Sequence, residues 1–365
     1  MSKSTATTSP LVELRSWMAF RHLDALYVSR PVSIAYLTGF FADPHERLMG
    51  LAIDRDRATL VVPALERQKA EGRATNAEVS AWRDGEDPYA LVAEALGGAV
   101  EIGVEKDHLC LLAAELITTR TGASELVDVG PEIKRLRLLK EEEEIESLRH
   151  AARLTDAAYR KVLERIEPGR TEIEVALMIG SIIGELGGTL AFPSLVQSGP
   201  NSALPHLEPS SRKLEQGDLV LLDFGAAHNG YRADCTRMVV IGDPTAEQTK
   251  IHRIVLEAHD AAIGAVRPGV TTGEVDAAAR RVIEAAGYGE QFFHRVGHGL
   301  GLEDHEDPSM DPGSTTALKP GMVFTIEPGI YIPGWGGVRI EDDVVVTDTG
   351  YELLPLSDPQ LRPIH

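Results

Sequence analysis

Along the first third of the chain, short apolar runs alternate with stretches whose apolar residues recur every three or four positions. ALYVS, RLMGLAI, ATLVVP, EVSAW and EIGVE read as strands, and Leu11 to Leu23, Ala64 to Gly72 and Pro88 to Leu96 read as helices. That alternation predicts a compact α/β layer domain ending near Val129. From Pro131 the pattern changes to KRLRLLKEEEEIESLRHAARLTDAAYRKVLERI, helix formers throughout with apolar residues at helical spacing. One long helix is expected there, marking a boundary between domains spanning 1–133 and 134–365. Its glutamates Glu141, Glu142, Glu143 and Glu144 fall in a first turn, where the helix dipole favours anions, and read as a solvated face.

The second half repeats itself. Pro168-Gly169-Arg170-Thr171-Glu172-Ile173-Glu174-Val175 recurs as Pro268-Gly269-Val270-Thr271-Thr272-Gly273-Glu274-Val275. Each copy follows an amphipathic helix and opens another through a Thr-x-x-Glu capping box. Strand-like segments follow each pair: SLVQSG, VLLDFGA and YRADCTRMVVIG in the first unit, then HRVGHGLG, MVFTIEPGIYI and GVRIEDDVVVT in the second. Two pseudo-symmetric units are therefore expected.

The strand pairs carry charge where apolar residues would be ordinary. Between Val220 and Gly242, two apolar arms are joined by Asn229-Gly230, a strong hairpin-turn signal. A two-residue turn there sets Asp223 opposite Thr236 and Asp234 opposite Gly225, leaving the two aspartates diagonal on one face, roughly 7–8 Å apart at the backbone. Thr236 is expected beside Asp223 as a supporting hydroxyl. The second hairpin carries Glu327 in one arm and Glu341 in the other. Between the hairpins lies His298, in Val-Gly-His-Gly-Leu-Gly, where flanking glycines permit close backbone approach. Pseudo-symmetry would bring all five to a shared centre. Buried like charges need a cation. Carboxylates with one imidazole suit manganese, and cobalt, iron or zinc less selectively; four carboxylates suit two ions about 3.5–4 Å apart, a pair suited to hydrolysis. His206, His294 and His305 flank these segments as candidates for handling protons or an oxyanion.

Composition narrows the partners. The formal net charge of −20 and the lack of a Lys/Arg-rich run make nucleic acid and anionic membranes poor candidates, leaving peptides or small molecules. Cys110 and Cys235 are the only cysteines, so no disulfide framework is expected. SKSTATTSP lacks a secretion-signal pattern and no apolar run approaches membrane-spanning length, so a cytoplasmic location is expected.

With LLDFGAAHNGYRADCTR, HRVGHGLGLEDHEDP, FTIEPGIY and GVRIEDD in view, the chain resembles the pita-bread metallopeptidases, in the branch of Xaa-Pro dipeptidase (prolidase) and Xaa-Pro aminopeptidase. The resemblance covers nearly the whole chain. It implies a two-domain α/β protein: a creatinase-type α/β domain, then a pita-bread α+β catalytic domain with a curved antiparallel sheet and an internal pseudo-two-fold repeat. It further implies Asp223 on one ion, His298 on the other, Asp234 and Glu341 bridging, and Glu327 as both ligand and general base. The ions would be Mn2+, with Co2+ or Zn2+ as alternatives. His206 and His305 match the substrate and proton-relay histidines, His294 and Arg339 the pocket residues, and Tyr331 less firmly so.

The expected substrate is an Xaa-Pro dipeptide and the expected assembly a homodimer. FFADPHERL resembles a loop of some bacterial prolidases whose Asp, His and Arg, here Asp43, His45 and Arg47, approach the site from a partner subunit. Arg295 would meet a substrate carboxylate. The alternatives are an Xaa-Pro aminopeptidase acting on longer peptides, a small-molecule hydrolase or lyase, and a non-catalytic interaction module on the same fold.

Overall fold

The two rhythms of the sequence become two compact units, Met1–Arg137 and Leu138–His365. The structure, a computed structural model, describes residues 9–354 and 357–365; the polar start of the chain, residues 1–8, lies outside them.

The N-terminal unit is built on a six-stranded sheet. Ala25–Val28, Gly50–Ile53 and Ala58–Pro63 pair antiparallel, while Glu78–Trp82, Glu101–Val104 and Glu125–Asp128 add in parallel. Helices Pro10–Phe20, Arg67–Arg73 and Pro88–Ala95 lie where the pattern placed them. Two further helices escaped it. Pro31–Thr38 buries residues on most of its surface and so has no apolar stripe to read, and Leu111–Thr121 leaves Leu111 and Leu112 exposed, which blurs its own.

The expected long helix is broken into Gly130–Leu138 and Glu142–Arg165. Helix propensity is overridden locally, because the Lys140 amide donates to Gly321 O at 2.8 Å and Glu141 caps the second helix through a reciprocal box with Glu144. Nor are the four glutamates uniformly solvated. Glu144 is half-buried and accepts from the Tyr231 hydroxyl at 2.5 Å, and burial raises its carboxyl.

In the C-terminal unit both capping boxes form, opening helices Glu172–Glu185 and Thr272–Ala285. The repeat extends to the backbone: Gly169 N donates to Leu214 O and Gly269 N to Leu318 O, each at 2.9 Å. Val175, Ile179 and Ile182 pack with Val220, Leu222 and Val239 in one core, and Val275, Ala279 and Ile283 with Phe324, Ile326 and Val344 in another. These spacings place the apolar faces of the helices on the sheets.

Leu195–Ser198, Leu219–Asp223 and Thr236–Ile241 pair antiparallel, with Arg362–Ile364 added in parallel on Thr236–Ile241. The second unit pairs His298–Gly299, Val323–Ile326 and Asp342–Val346 antiparallel. Asn229 and Gly230 both adopt positive φ, 51° and 84°, and the register is the expected one, with Thr236 opposite Asp223 and Arg232 opposite Ala227. Each arm nevertheless breaks midway, into Leu219–Asp223 then Ala226–His228, and Tyr231–Arg232 then Thr236–Ile241. The breaks fall beside Asp223 and Asp234.

Candidate active site

Asp223 ends its strand and Asp234 lies just before the Thr236–Ile241 strand, both buried. Glu327 and Glu341 stand in the gaps between Val323–Ile326 and Gly329–Ile332, and between Gly336–Arg339 and Asp342–Val346. All four line one small cavity with His298, so the structure brings the five expected ligand residues together. Gly297 and Gly299 make the approach of His298 possible: a Cβ on Gly297 would lie 1.9 Å from Thr325 O, and one on Gly299 would lie 2.2 Å from the Asp307 backbone. The His298 amide donates to Thr325 Oγ1 at 3.1 Å. Its ring Nδ1 lies 3.1 Å from Gly299 O, so Nδ1–H donates there and the Nε2 lone pair faces inward, 3.3 Å from Glu327 Oε1 and 4.0 Å from Asp234 Oδ2.

The electrostatics of the cluster call for a cation. Burial, followed by repulsion from neighbouring carboxylates, pushes the carboxyls of Asp234 and Glu341 well above the ordinary range. Burial raises Glu327 to about 7, with Asp223 adding to the rise and Arg339 opposing it. His298 is lowered to about 3, by burial first and His305 second. Asp223 Oδ1 and Asp234 Oδ1 are buried without a hydrogen-bond partner among the described residues. One ligand atom from each of Asp234, His298 and Glu341 lies within 4.8 Å of the others. Orphaned carboxylate oxygens beside an inward-facing imidazole lone pair fit a divalent ion.

Thr236 does not support Asp223 through its hydroxyl. It stands opposite Asp223 in register, but its hydroxyl donates to Glu341 Oε2 at 2.6 Å and accepts from Arg339 Nε at 3.0 Å. The same arginine donates to Asp223 and, at 3.1 Å, to the Tyr331 hydroxyl. Sharing one buried guanidinium is what couples Asp223 to Thr236.

A cleft of about 490 Å³ adjoins the carboxylates; His206, His298, His305, Glu327 and Arg339 line both it and the smaller cavity. His305 is exposed and stacks on His298 with ring centroids 3.9 Å apart. His206 is exposed on the loop after the short helix Gly199–Ala203. His294 Nδ1 lies 2.6 Å from Arg295 O and Nε2 3.1 Å from the Tyr331 hydroxyl, so both nitrogens are engaged within the protein; burial lowers its pKa to about 4. Arg295 reaches Ser309 Oγ at 2.6 Å. Leu204, Leu207 and Phe293 give the cleft an apolar wall that the sequence pattern did not reveal, since they lie in segments without periodicity.

Asp43, His45 and Arg47 belong to the N-terminal unit. Asp43 Oδ1 accepts from the His45 amide at 2.9 Å, and Arg47 binds Asp84 through Nε and Nη2 at 3.1 and 3.2 Å, with Glu46 2.7 Å from Nη1.

Further polar residues lie behind the five clustered ones, and the sequence pattern does not mark them. Buried Arg237 donates to Glu341 O at 2.6 Å, to Thr236 O at 3.0 Å and to Asp342 Oδ1 at 2.5 Å, while Asp343 Oδ2 accepts from the Asp234 amide at 3.1 Å. Burial works against Asp342, but Arg237 and His259 hold its carboxyl below the usual range. The legible signal was a run of three acids, Glu341-Asp342-Asp343, in a valine-rich strand, matched by a lone arginine in Thr-Arg-Met-Val-Val.

Carboxylates gathered around an imidazole and opening on a cleft form the donor set of a metallohydrolase. Known proteins agree: metallopeptidase family M24 matches residues 146–348, and the creatinase/prolidase N-terminal domain matches residues 11–139. The chain belongs to metallopeptidase family M24 and is a metal-dependent peptidase.

It is 39% identical over 360 residues to an Xaa-Pro dipeptidase of Lactobacillus helveticus, covering 96% of this chain and 98% of the relative. Among solved structures, a prolidase from Pyrococcus horikoshii OT3 superposes with a TM-score of 0.91 at 35% identity, over 97% of this chain and all of that one. An X-Pro aminopeptidase from Thermotoga maritima MSB8 superposes at 0.86 with 32% identity, over 94% and 98% of the two chains. The resemblance read from the sequence is borne out for family and fold.

Proposed function

We propose that the chain hydrolyses the Xaa-Pro bond of dipeptides. The observation that carries this reading is the continuity of the carboxylate cavity with a cleft that has an apolar wall and also holds Arg295, a cation suited to a free carboxylate. Asp223, Asp234, His298, Glu327 and Glu341 would hold two divalent ions. The oxygen-rich set suits Mn2+ first, with Co2+ or Zn2+ on the same donors. Bound there, such ions would supply Lewis acidity, polarising the scissile carbonyl and acidifying water.

The residues of the chain do the rest. Glu327, which lines the cleft and lies 3.3 Å from the His298 ring, is placed to take a proton from attacking water and return it to the leaving nitrogen. That nitrogen is a tertiary amide with no hydrogen of its own, so proline cannot leave without one. His206 and His305, at the cleft, stabilise the developing oxyanion and relay protons. Arg295 takes the proline carboxylate, His294 and Tyr331 shape the pocket, and Arg339 orients Asp223. Leu204, Leu207 and Phe293 exclude water from the pyrrolidine ring.

Comparing turnover of Ala-Pro with that of Ala-Pro-Ala by the manganese-loaded chain tests the reading; faster hydrolysis of the dipeptide is expected. Preference for the tripeptide would establish the second reading, an Xaa-Pro aminopeptidase, which the likeness to the Thermotoga maritima enzyme favours.

A cytoplasmic homodimer in which the 40–48 loop reaches the partner's site completes the proposal. Among the described residues no helix is long and apolar enough to cross a membrane, consistent with that location. A monomer in sedimentation, or a dimeric Arg47→Ala protein with undiminished dipeptide turnover, would remove the loop's role. Fractionation of the native protein with membranes would remove the location.

A further inference from the structure

Two acids outside the proposed ligand cluster are buried in the two repeat helices, one at the start of its helix and one a turn further in, and each gathers one wall of the cleft. Glu172, the first residue of Glu172–Glu185, has no exposed surface. Its Oε1 accepts from Ser198 N and Oγ, both at 2.7 Å, and from Asn201 Nδ2 at 3.0 Å; its Oε2 accepts from Asn201 Nδ2 at 3.1 Å, Ser210 N at 3.0 Å and Ser210 Oγ at 2.6 Å. These donors bracket His206 on both sides. Buried Gln197 completes the hold, its side-chain Nε2 donating to Pro205 O at 3.1 Å and Leu207 O at 3.0 Å, the carbonyls flanking the histidine.

On the opposite unit Thr272 replaces Glu172 in the repeat, and the acid appears one helical turn later as Asp276. Asp276 Oδ1 accepts from Val296 N at 3.1 Å and both its oxygens accept from Arg280 at 2.9 Å; Arg280 donates onward to Phe292 O at 2.8 Å and His294 O at 2.9 Å. This set brackets His294 and Arg295 as the other brackets His206.

We propose that Glu172 and Asp276 are positioning residues of the two substrate walls, Glu172 fixing His206 and Asp276, through Arg280, fixing His294 and Arg295. The inference rests on reading the cleft as the substrate site. A fully buried carboxylate serving five donors tolerates no amide in its place, because glutamine would turn a donor toward donors. Small displacements of groups that touch substrate carry large kinetic costs.

The test is Glu172→Gln in the full chain with its metal bound, compared with Glu174→Gln, which weakens the capping box of the same helix without touching the loop. Glu172→Gln should raise amide exchange across residues 199–212 about tenfold, and raise KM for a proline dipeptide about tenfold with kcat much less affected and metal content unchanged. Asp276→Asn should instead loosen residues 292–296. Glu174→Gln should leave KM as in the wild type. Should Glu172→Gln fail to fold, Gln197→Met, which removes the two bonds beside His206, is expected to give the same loop exchange and KM change. Unchanged exchange and KM in the folded variants, or equal changes in Glu172→Gln and Glu174→Gln, would overturn the proposal. Wild-type protein inactive on every proline dipeptide would count against the function alone, since the exchange readout would still support or overturn the positioning role.

Discussion

The hydroxyl of Thr236 donates to Glu341 Oε2 at 2.6 Å, joining an arm of the first hairpin to its counterpart in the second. Both residues are buried, and the bond leaves Thr236 able to accept from Arg339 Nε. Thr236→Val keeps the shape and removes the hydroxyl. Leaving these buried groups unpaired should cost about 1–3 kcal/mol, and the loosened carboxylate should weaken metal binding about 10–100-fold. Urea denaturation and metal titration check both figures; wild-type values in the two measurements would mean that the bond does not orient Glu341.

Arg237 is a buried cation behind the carboxylate cluster. It lies 2.5 Å from Asp342 and also donates to the Thr236 and Glu341 carbonyls. Arg237→Met leaves Asp342 facing the His259 ring, 3.0 Å away, without its guanidinium. Removing one member of such a buried pair is expected to destabilise the fold by about 3–5 kcal/mol. A urea midpoint unchanged from wild type would contradict this.

His252 gives the stability a pH dependence apart from the carboxylate cluster. It is buried, its Nε2 lies 3.0 Å from Pro359 O, and burial lowers its pKa. The folded state therefore disfavours the charged ring. Its contribution is complete above the unfolded value of about 6.5 and is lost as pH falls through the lower folded value. Tm should fall between pH 7.5 and pH 5 by less in His252→Gln than in wild type; identical slopes would show that this histidine is not responsible.

The sequence made the site more legible than the scaffold behind it. Asn229-Gly230 and the alternation around it determined the hairpin register, and that register placed Asp223 and Asp234 on one face. The repeat told where Glu327 and Glu341 would return, because a capping box is a local motif that survives without reference to tertiary structure. Thr236 was placed opposite the right residue, yet its hydroxyl partner lies on another hairpin, which pairing within one hairpin does not reveal. The break at Lys140 was hidden for the same reason: the carbonyl that ends the helical run belongs to Gly321. Glu172 and Asp276 looked like ordinary residues of the two repeat helices, and only the folded loops show what they hold.

The proposed binding of metal by the five clustered residues for cleavage of a proline dipeptide is tested most directly by proline release from Ala-Pro. The chain loaded with Mn2+ should release proline, lose that activity when chelated and regain it on readdition, while Asp223→Ala should remain folded and inactive throughout. Proline release that continues undiminished in the metal-free protein, or its absence from the fully loaded wild type, would contradict that assignment.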